Sequence, residues 1–143
     1  MMQGMQTYLE PTQESGRDFF MRATTGPVVM LNLLRFRPVA DYSAAPNLAP
    51  EQPISGEAAY RLYFEHARPH LEASGGKVLF LGRGGKYLIG PASEEWDMVM
   101  LVQQASTASF LAFASNEAYL AGIGHRTAAL ADSRLLPMVA EIL

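Results

Sequence analysis

The sequence predicts an α+β domain in the order strand, helix, strand, strand, helix, strand, a split βαβ pattern folded as a four-stranded antiparallel sheet in the order 4132. Three observations predict it. First, the run Gly26 to Pro38, GPVVMLNLLRFRP, puts Val28, Met30, Asn32, Leu34 and Phe36 on one face and Val29, Leu31, Leu33, Arg35 and Arg37 on the other. A strand that is apolar on both faces is covered above and below, which makes it central. Second, Glu94 to Gln104 repeats the pattern, with Trp96, Met98, Met100 and Val102 on one face and Val99 and Leu101 on the other. Third, Pro137 falls in the last strand, and a residue that cannot donate to a ladder belongs at an edge. In this topology strands one and three are central and strands two and four are the edges. Two main helices cover one face of four strands, so the other apolar face needs a cover, and a homodimer packed sheet against sheet supplies it.

The elements follow in order. Pro11 and Thr12 stand before a short leading helix that ends near Ala23, with Phe19, Phe20 and Ala23 available to pack. Residues 1–26 are therefore an extension with a short helix, and 27–143 the main domain. Val39 to Pro53 is rich in alanine and proline without periodicity and reads as a surface loop of the kind that frames a site. Ser55 caps a helix from Gly56 to Ser74, whose stripe is Tyr60, Phe64, Ala67 and Leu71, with Pro69 expected to kink its last turns. Lys77 to Leu81 is a strand, Gly82-Arg83-Gly84-Gly85-Lys86 a turn, and Tyr87 to Gly90 a short continuation. Ser106 caps a helix carrying Phe110, Leu111 and Phe113; Ser115-Asn116-Glu117 restarts it, and helical pattern persists to about Ala131. Arg134 to Leu143 is the closing strand.

Composition sets bounds on function. The chain has 143 residues, 49% of them hydrophobic, enough for one domain with one core. Its 11 basic and 14 acidic residues give a net charge of -3 with no block of like charge, so neither nucleic acid nor an anionic membrane is an expected partner. Zero cysteines leave no disulfide, thiolate nucleophile or cysteine zinc site. The N-terminus lacks the basic start and apolar run of a secretory signal, and no stretch nears the ~18 apolar residues of a spanning helix. A cytoplasmic location is the expectation.

Four segments together resemble the DUF1330 family of the dimeric α/β barrel superfamily: GPVVMLNLLRFR, AYRLYFEHARPHLEASGGKVLFLG, WDMVMLV and SNEAYLAGIGHRTAALADSRLLP. The resemblance spans Pro27 to Pro137. It departs from the family after the third strand, where Gln104-Ala105-Ser106 replaces an aromatic-Pro-Ser turn. The resemblance implies a ferredoxin-like subunit and a dimer. It names no reaction, because DUF1330 denotes a family of unknown function.

The residues that could carry chemistry each have a plainer reading beside the functional one. Asn32 is polar inside an apolar strand, and an unpartnered amide there costs about 1 to 3 kcal/mol. It lines a pocket between the open sheet face and a loop, or bonds a neighbouring backbone group or the dimer partner. Arg35 and Arg37, two apart, could hold a carboxylate, with Arg83 as a third candidate; otherwise they are solvated or pair with Glu57, Glu65 or Asp97. Tyr60, Tyr63 and Trp96 line the pocket or fill the core. His66 is the candidate general base. His66 and His70 have metal-ligand spacing but no third ligand, and the negative end of the helix dipole explains them equally well, so no metal and no cofactor is expected. Some haem-degrading monooxygenases of the same superfold use an Asn, a Trp and a His, types present here as Asn32, Trp96 and His125, but three common residue types on a shared fold are analogy alone. The glycine run at 82–86 lacks the Gly-Lys-Ser/Thr ending of a phosphate loop. The expected function is a homodimer that binds a small, partly apolar or anionic ligand. The alternatives are a cofactor-independent monooxygenase or isomerase using His66, and a structural dimer without a ligand.

Overall fold

Both long apolar runs become neighbouring central strands. In the computed structural model, which describes residues 6–22 and 24–142, β1 (Val28–Phe36) pairs with β3 (Glu95–Gln104), and β2 (Lys77–Lys86) and β4 (Leu130–Met138) flank them. All neighbours are antiparallel and the order is β2-β3-β1-β4, which read from the other edge is 4132. Helix α2 (Gly56–Ala73) links β1 to β2, and α3 (Thr107–Ala114), α4 (Glu117–Leu120) and α5 (Ile123–Ala129) link β3 to β4. This is the ferredoxin-like βαββαβ fold. Ahead of it, α1 (Gln13–Met21) is closed by a capping box between Thr12 and Ser15 and sets Phe19 edge-on to Phe110 at 5.7 Å. Ala23, expected to pack with them, lies outside the described residues.

The core lies between one sheet face and the helices. Val28, Met30 and Leu34 of β1 and Met98, Met100 and Val102 of β3 meet Ala59, Tyr60, Tyr63, Ala67 and Leu71 of α2. Tyr119 of α4 and Ala129 and Leu130 at the end of α5 complete the cluster. On the opposite face the register aligns Phe80, Leu101, Leu31 and Leu136 in a row across all four strands. Nothing among the described residues covers this row at its ends, where Phe80 is 54% and Leu136 53% exposed.

Three boundaries differ from expectation. Strand β2 does not stop at Leu81 but continues through the glycines to Lys86, and the turn comes after it. The reason is close approach: a Cβ on Gly84 would lie 2.5 Å from the Trp96 carbonyl oxygen, so the bare backbone lets β2 and β3 stay paired. The second helical region is three short helices, because the Asn116 side chain accepts from Tyr119 N and caps α4, and Gly122 opens α5. Strand β4 begins at Leu130 instead of Arg134, since Arg37 N donates to Ala129 O at 2.8 Å and draws the chain out beside Phe36. It ends at Met138, with Leu143 outside the described residues. Helix α2 runs through Pro69 as one element.

One junction holds this end of the sheet together. Gly56 N donates to Arg37 O at 3.0 Å, and a Cβ at Gly56 would strike Arg37 O and Ala129 O, both backbone atoms. The Gly56→Ala variant is therefore expected to lose about 1 to 3 kcal/mol. Gly16→Ala, in α1 with open space around it, is expected to gain about 0.4 to 1 kcal/mol. Urea unfolding checks both: the midpoint falls for the first and rises for the second at unchanged slope.

Candidate functional site

The junction of β1 with α2 opens into a cleft of about 450 Å³. Phe36, Arg37 and Pro38 come from the end of β1, Ser55 and Glu57 from the start of α2, Arg83 to Gly85 from β2, and Trp96 and Asp97 from β3. The cleft thus lies between sheet and helix α2, with apolar surface from Phe36, Pro38 and Trp96 beside four charged side chains.

Three of those charges are already engaged. Glu57 accepts from Arg83 Nη2 at 2.6 Å and Nη1 at 3.1 Å, and from Arg61 Nη2 at 3.0 Å. Bonds from Arg83 and then Arg61 pull the Glu57 carboxyl from 4.5 down to about 2, and the same carboxylate raises Arg83. Asp97 Oδ2 accepts from Phe36 N at 2.8 Å. Arg37 differs. Among the described residues no carboxylate lies within ion-pair distance of it, and its buried Nε has no partner. A buried N–H without an acceptor costs free energy.

Trp96 forms one wall. It is among the most buried residues, at 2% exposed, as a core aromatic would be, yet it stands outside the cluster that Met98, Met100 and Val102 join. Guanidinium groups cover it instead: Arg35 Cζ is 5.1 Å and Arg134 Cζ 5.0 Å from its centroid. Its Nε1 donates to Tyr87 Oη at 2.7 Å. Arg35 is fixed by a bond from Nε to Glu95 O, and Arg134 by Nη1 bonds to Asp132 Oδ1 at 2.7 Å and Ser133 O at 2.8 Å. Asp132, wholly buried, also accepts from Tyr8 N at 2.8 Å, which ties the N-terminal segment to β4. Tyr87, Asp132 and Arg134 are not candidates from sequence. The alternation of Asp132 and Arg134 in a strand is the available signal, since it sets an acid and a base on one face.

The structure separates the remaining sequence candidates from this cleft. Arg35 and Arg37 do not come together: the Arg35 guanidinium lies over Trp96 and Arg37 lines the cleft, while the register shift beside them comes from an extra residue in β4, Ala131. Neither pairs with Glu57, whose partners are Arg61 and Arg83. Asn32 donates to Met30 O at 3.2 Å, a neighbouring backbone group. Tyr60 and Tyr63 are in the core, where burial pushes both phenols up, and Tyr63 Oη bonds Tyr119 Oη at 2.7 Å. His66 Nε2 lies 2.6 Å from Ala118 O; a carbonyl only accepts, so Nε2 carries the proton and the ring clasps α2 to α4. His125 bonds Tyr42 Oη at 2.7 Å, and burial lowers its pKa. Asn32, Trp96 and His125 thus have three separate sets of partners. The loop expected to frame the pocket turns the other way. Its Ala45 and Leu48 pack on Gly124 beside a second cavity of about 330 Å³. Among the described residues no group of three or more His, Cys, Asp or Glu converges, and no helix is long and apolar enough to cross a membrane.

The Glu57 network yields a pH prediction. A carboxyl lowered from 4.5 to about 2 on folding stabilises the native state fully above pH 4.5 and loses that contribution as pH falls toward 2. Thermal midpoints measured across that window are expected to fall more steeply for the unmodified protein than for Glu57→Gln, the two curves converging at the acid end.

The chain matches no protein-family model and no curated protein. It does match crystal structures. Methylated RPA0582 shares 34% identity at a TM-score of 0.86, with 96% of this chain and 98% of that chain covered. RPA0582 from Rhodopseudomonas palustris, described as a protein of unknown function, shares 33% identity at 0.83, with 96% and 100% covered. At that identity over nearly the whole of both chains, this protein belongs to the same family as RPA0582.

Proposed function

We propose that this chain is a small-molecule-binding homodimer of the DUF1330 type, and that the cleft at the β1–α2 junction holds a small, partly apolar carboxylate. One observation carries the reading: Arg37, with no carboxylate at ion-pair distance, lines a cleft in which Glu57, Arg83 and Asp97 are already engaged and Phe36, Pro38 and Trp96 supply apolar lining. A guanidinium fork recognises a carboxylate in its plane, and the apolar walls suit the body of the ligand. Trp96 and Arg35 belong to this site as wall and support. In this reading Asn32, Tyr60, Tyr63 and His66 are scaffold, satisfied by the bonds and packing described above, and the protein needs none of them as an acid or base.

The homodimer is supported by the uncovered row Phe80, Leu101, Leu31 and Leu136. Exposed large apolar residues include Leu79 to Leu81 on one edge strand and Leu135, Leu136 and Val139 at the other edge. A second sheet packed on this face removes the row from water and shields both edges.

Trp96 is the only tryptophan, so its fluorescence reports the cleft directly. Titration with benzoate, against the neutral isostere benzamide, is expected to give saturable binding of benzoate alone. Arg37→Ala is expected to weaken it by about ten- to a hundredfold, the loss of one charge-assisted contact worth about 1.5 to 3 kcal/mol. Equal binding of both compounds contradicts an anion site. For the dimer, Leu31→Asp sets a charge in the middle of the row. It is expected to shift the mass in sedimentation equilibrium from twice the chain mass to the chain mass, with the far-ultraviolet circular dichroism spectrum unchanged.

A further inference from the structure

Between β2 and β3 the chain overshoots the sheet beside the cleft. Lys86 is the last residue of β2 to pair, with Glu95. Beyond it Leu88 and Ile89 are 99% and 92% exposed, two large aliphatic side chains held in water. Among the described residues, the backbone groups of Leu88, Ile89 and Gly90 have no hydrogen-bond partner. The segment is bracketed by Gly85 at φ 151° and Gly90 at φ 155°, a region that residues with side chains avoid. Its one side-chain anchor is Tyr87 Oη, accepting from Trp96 Nε1 at 2.7 Å. Both attachment points, Gly85 and Trp96, line the cleft. The segment therefore hangs from the wall of the site itself. A short stretch with few backbone bonds, running from the last paired residue to Gly90, opens and closes at low cost.

We propose that Tyr87–Ile89 is a strap that closes over the occupied cleft, turning between Lys86, the last paired residue of β2, and Gly90, with the Tyr87–Trp96 bond as its pivot and Leu88 and Ile89 as the face that meets the ligand. This rests on the carboxylate reading of the cleft. Closure takes the two aliphatic side chains out of water and dries the surroundings of Arg37, where a carboxylate contact is stronger than in an open cleft. It also sets a requirement on the ligand: a carboxylate with an apolar body gives Leu88 and Ile89 something to cover, and a bare anion does not.

The test uses benzoate and the full-length protein, followed by Trp96 fluorescence and by amide hydrogen exchange of the peptide spanning 86–90. On saturation, exchange across this peptide is expected to slow about tenfold. The variant Leu88→Ser with Ile89→Ser alters two exposed positions, leaves the fold intact and is expected to bind benzoate about tenfold more weakly. Saturable benzoate binding with unchanged exchange at 86–90 and equal affinity in the double variant overturns the strap and leaves the carboxylate cleft standing. Absence of any benzoate signal at millimolar concentration overturns both.

Discussion

Two neighbouring strands that are apolar on both faces set the terms for the rest of this molecule. β1 and β3 cannot leave either face in water without exposing leucine, valine and methionine, so the chain must cover the sheet twice. The helices cover it once, through Ala59, Tyr60, Tyr63, Ala67 and Leu71 of α2. In the proposed homodimer the second cover comes from outside the subunit, onto the row from Phe80 to Leu136; the physical demand for it is present in the strands alone.

The same strands create the cleft by ending. At Leu34 and Met98 the β1–β3 ladder is still regular; one residue later Asp97 turns its carboxylate to the Phe36 amide and the register with β4 slips. Charged groups then take over from apolar packing. Arg35 and Arg134 cover Trp96, Arg83 and Arg61 hold Glu57, and Arg37 is left facing the opening. Gly56 and Gly84 allow backbones to touch on either side, so the walls are set by main chain and by ion pairs instead of by a greasy core. Such a place is stiff in its frame and leaves Arg35 Nη2 and Arg37 Nε without partners.

The central strands, the long helix and the sheet order are legible in the sequence because period 2, period 3.6 and the strand proline each have one physical reading. The glycine run in β2 reads as a turn because glycine signals both a bend and a close approach, and only the Trp96 carbonyl beside Gly84 decides between them. Trp96 stands out as a site residue by its type, yet its real company, Arg134 and Tyr87, lies 38 and 9 positions away, and no local pattern joins them. Arg37 is legible as a candidate; that it lines the cleft while Arg35 lies over Trp96 depends on contacts across strands that alternation cannot foresee. Asn32 and His66 draw attention as polar groups near apolar ones, and both are answered by backbone carbonyls, Met30 O and Met100 O for Asn32 and Ala118 O for His66, a common fate of a half-buried polar side chain.

Covering the sheet twice is what the whole arrangement depends on, and native mass spectrometry of the purified full-length protein tests it most directly. A single species at twice the chain mass is the expected result, with any retained small acid visible as added mass on the dimer. A stable monomer at the same concentration contradicts the second cover, because the row from Phe80 to Leu136 would then stand in water with nothing to hide it.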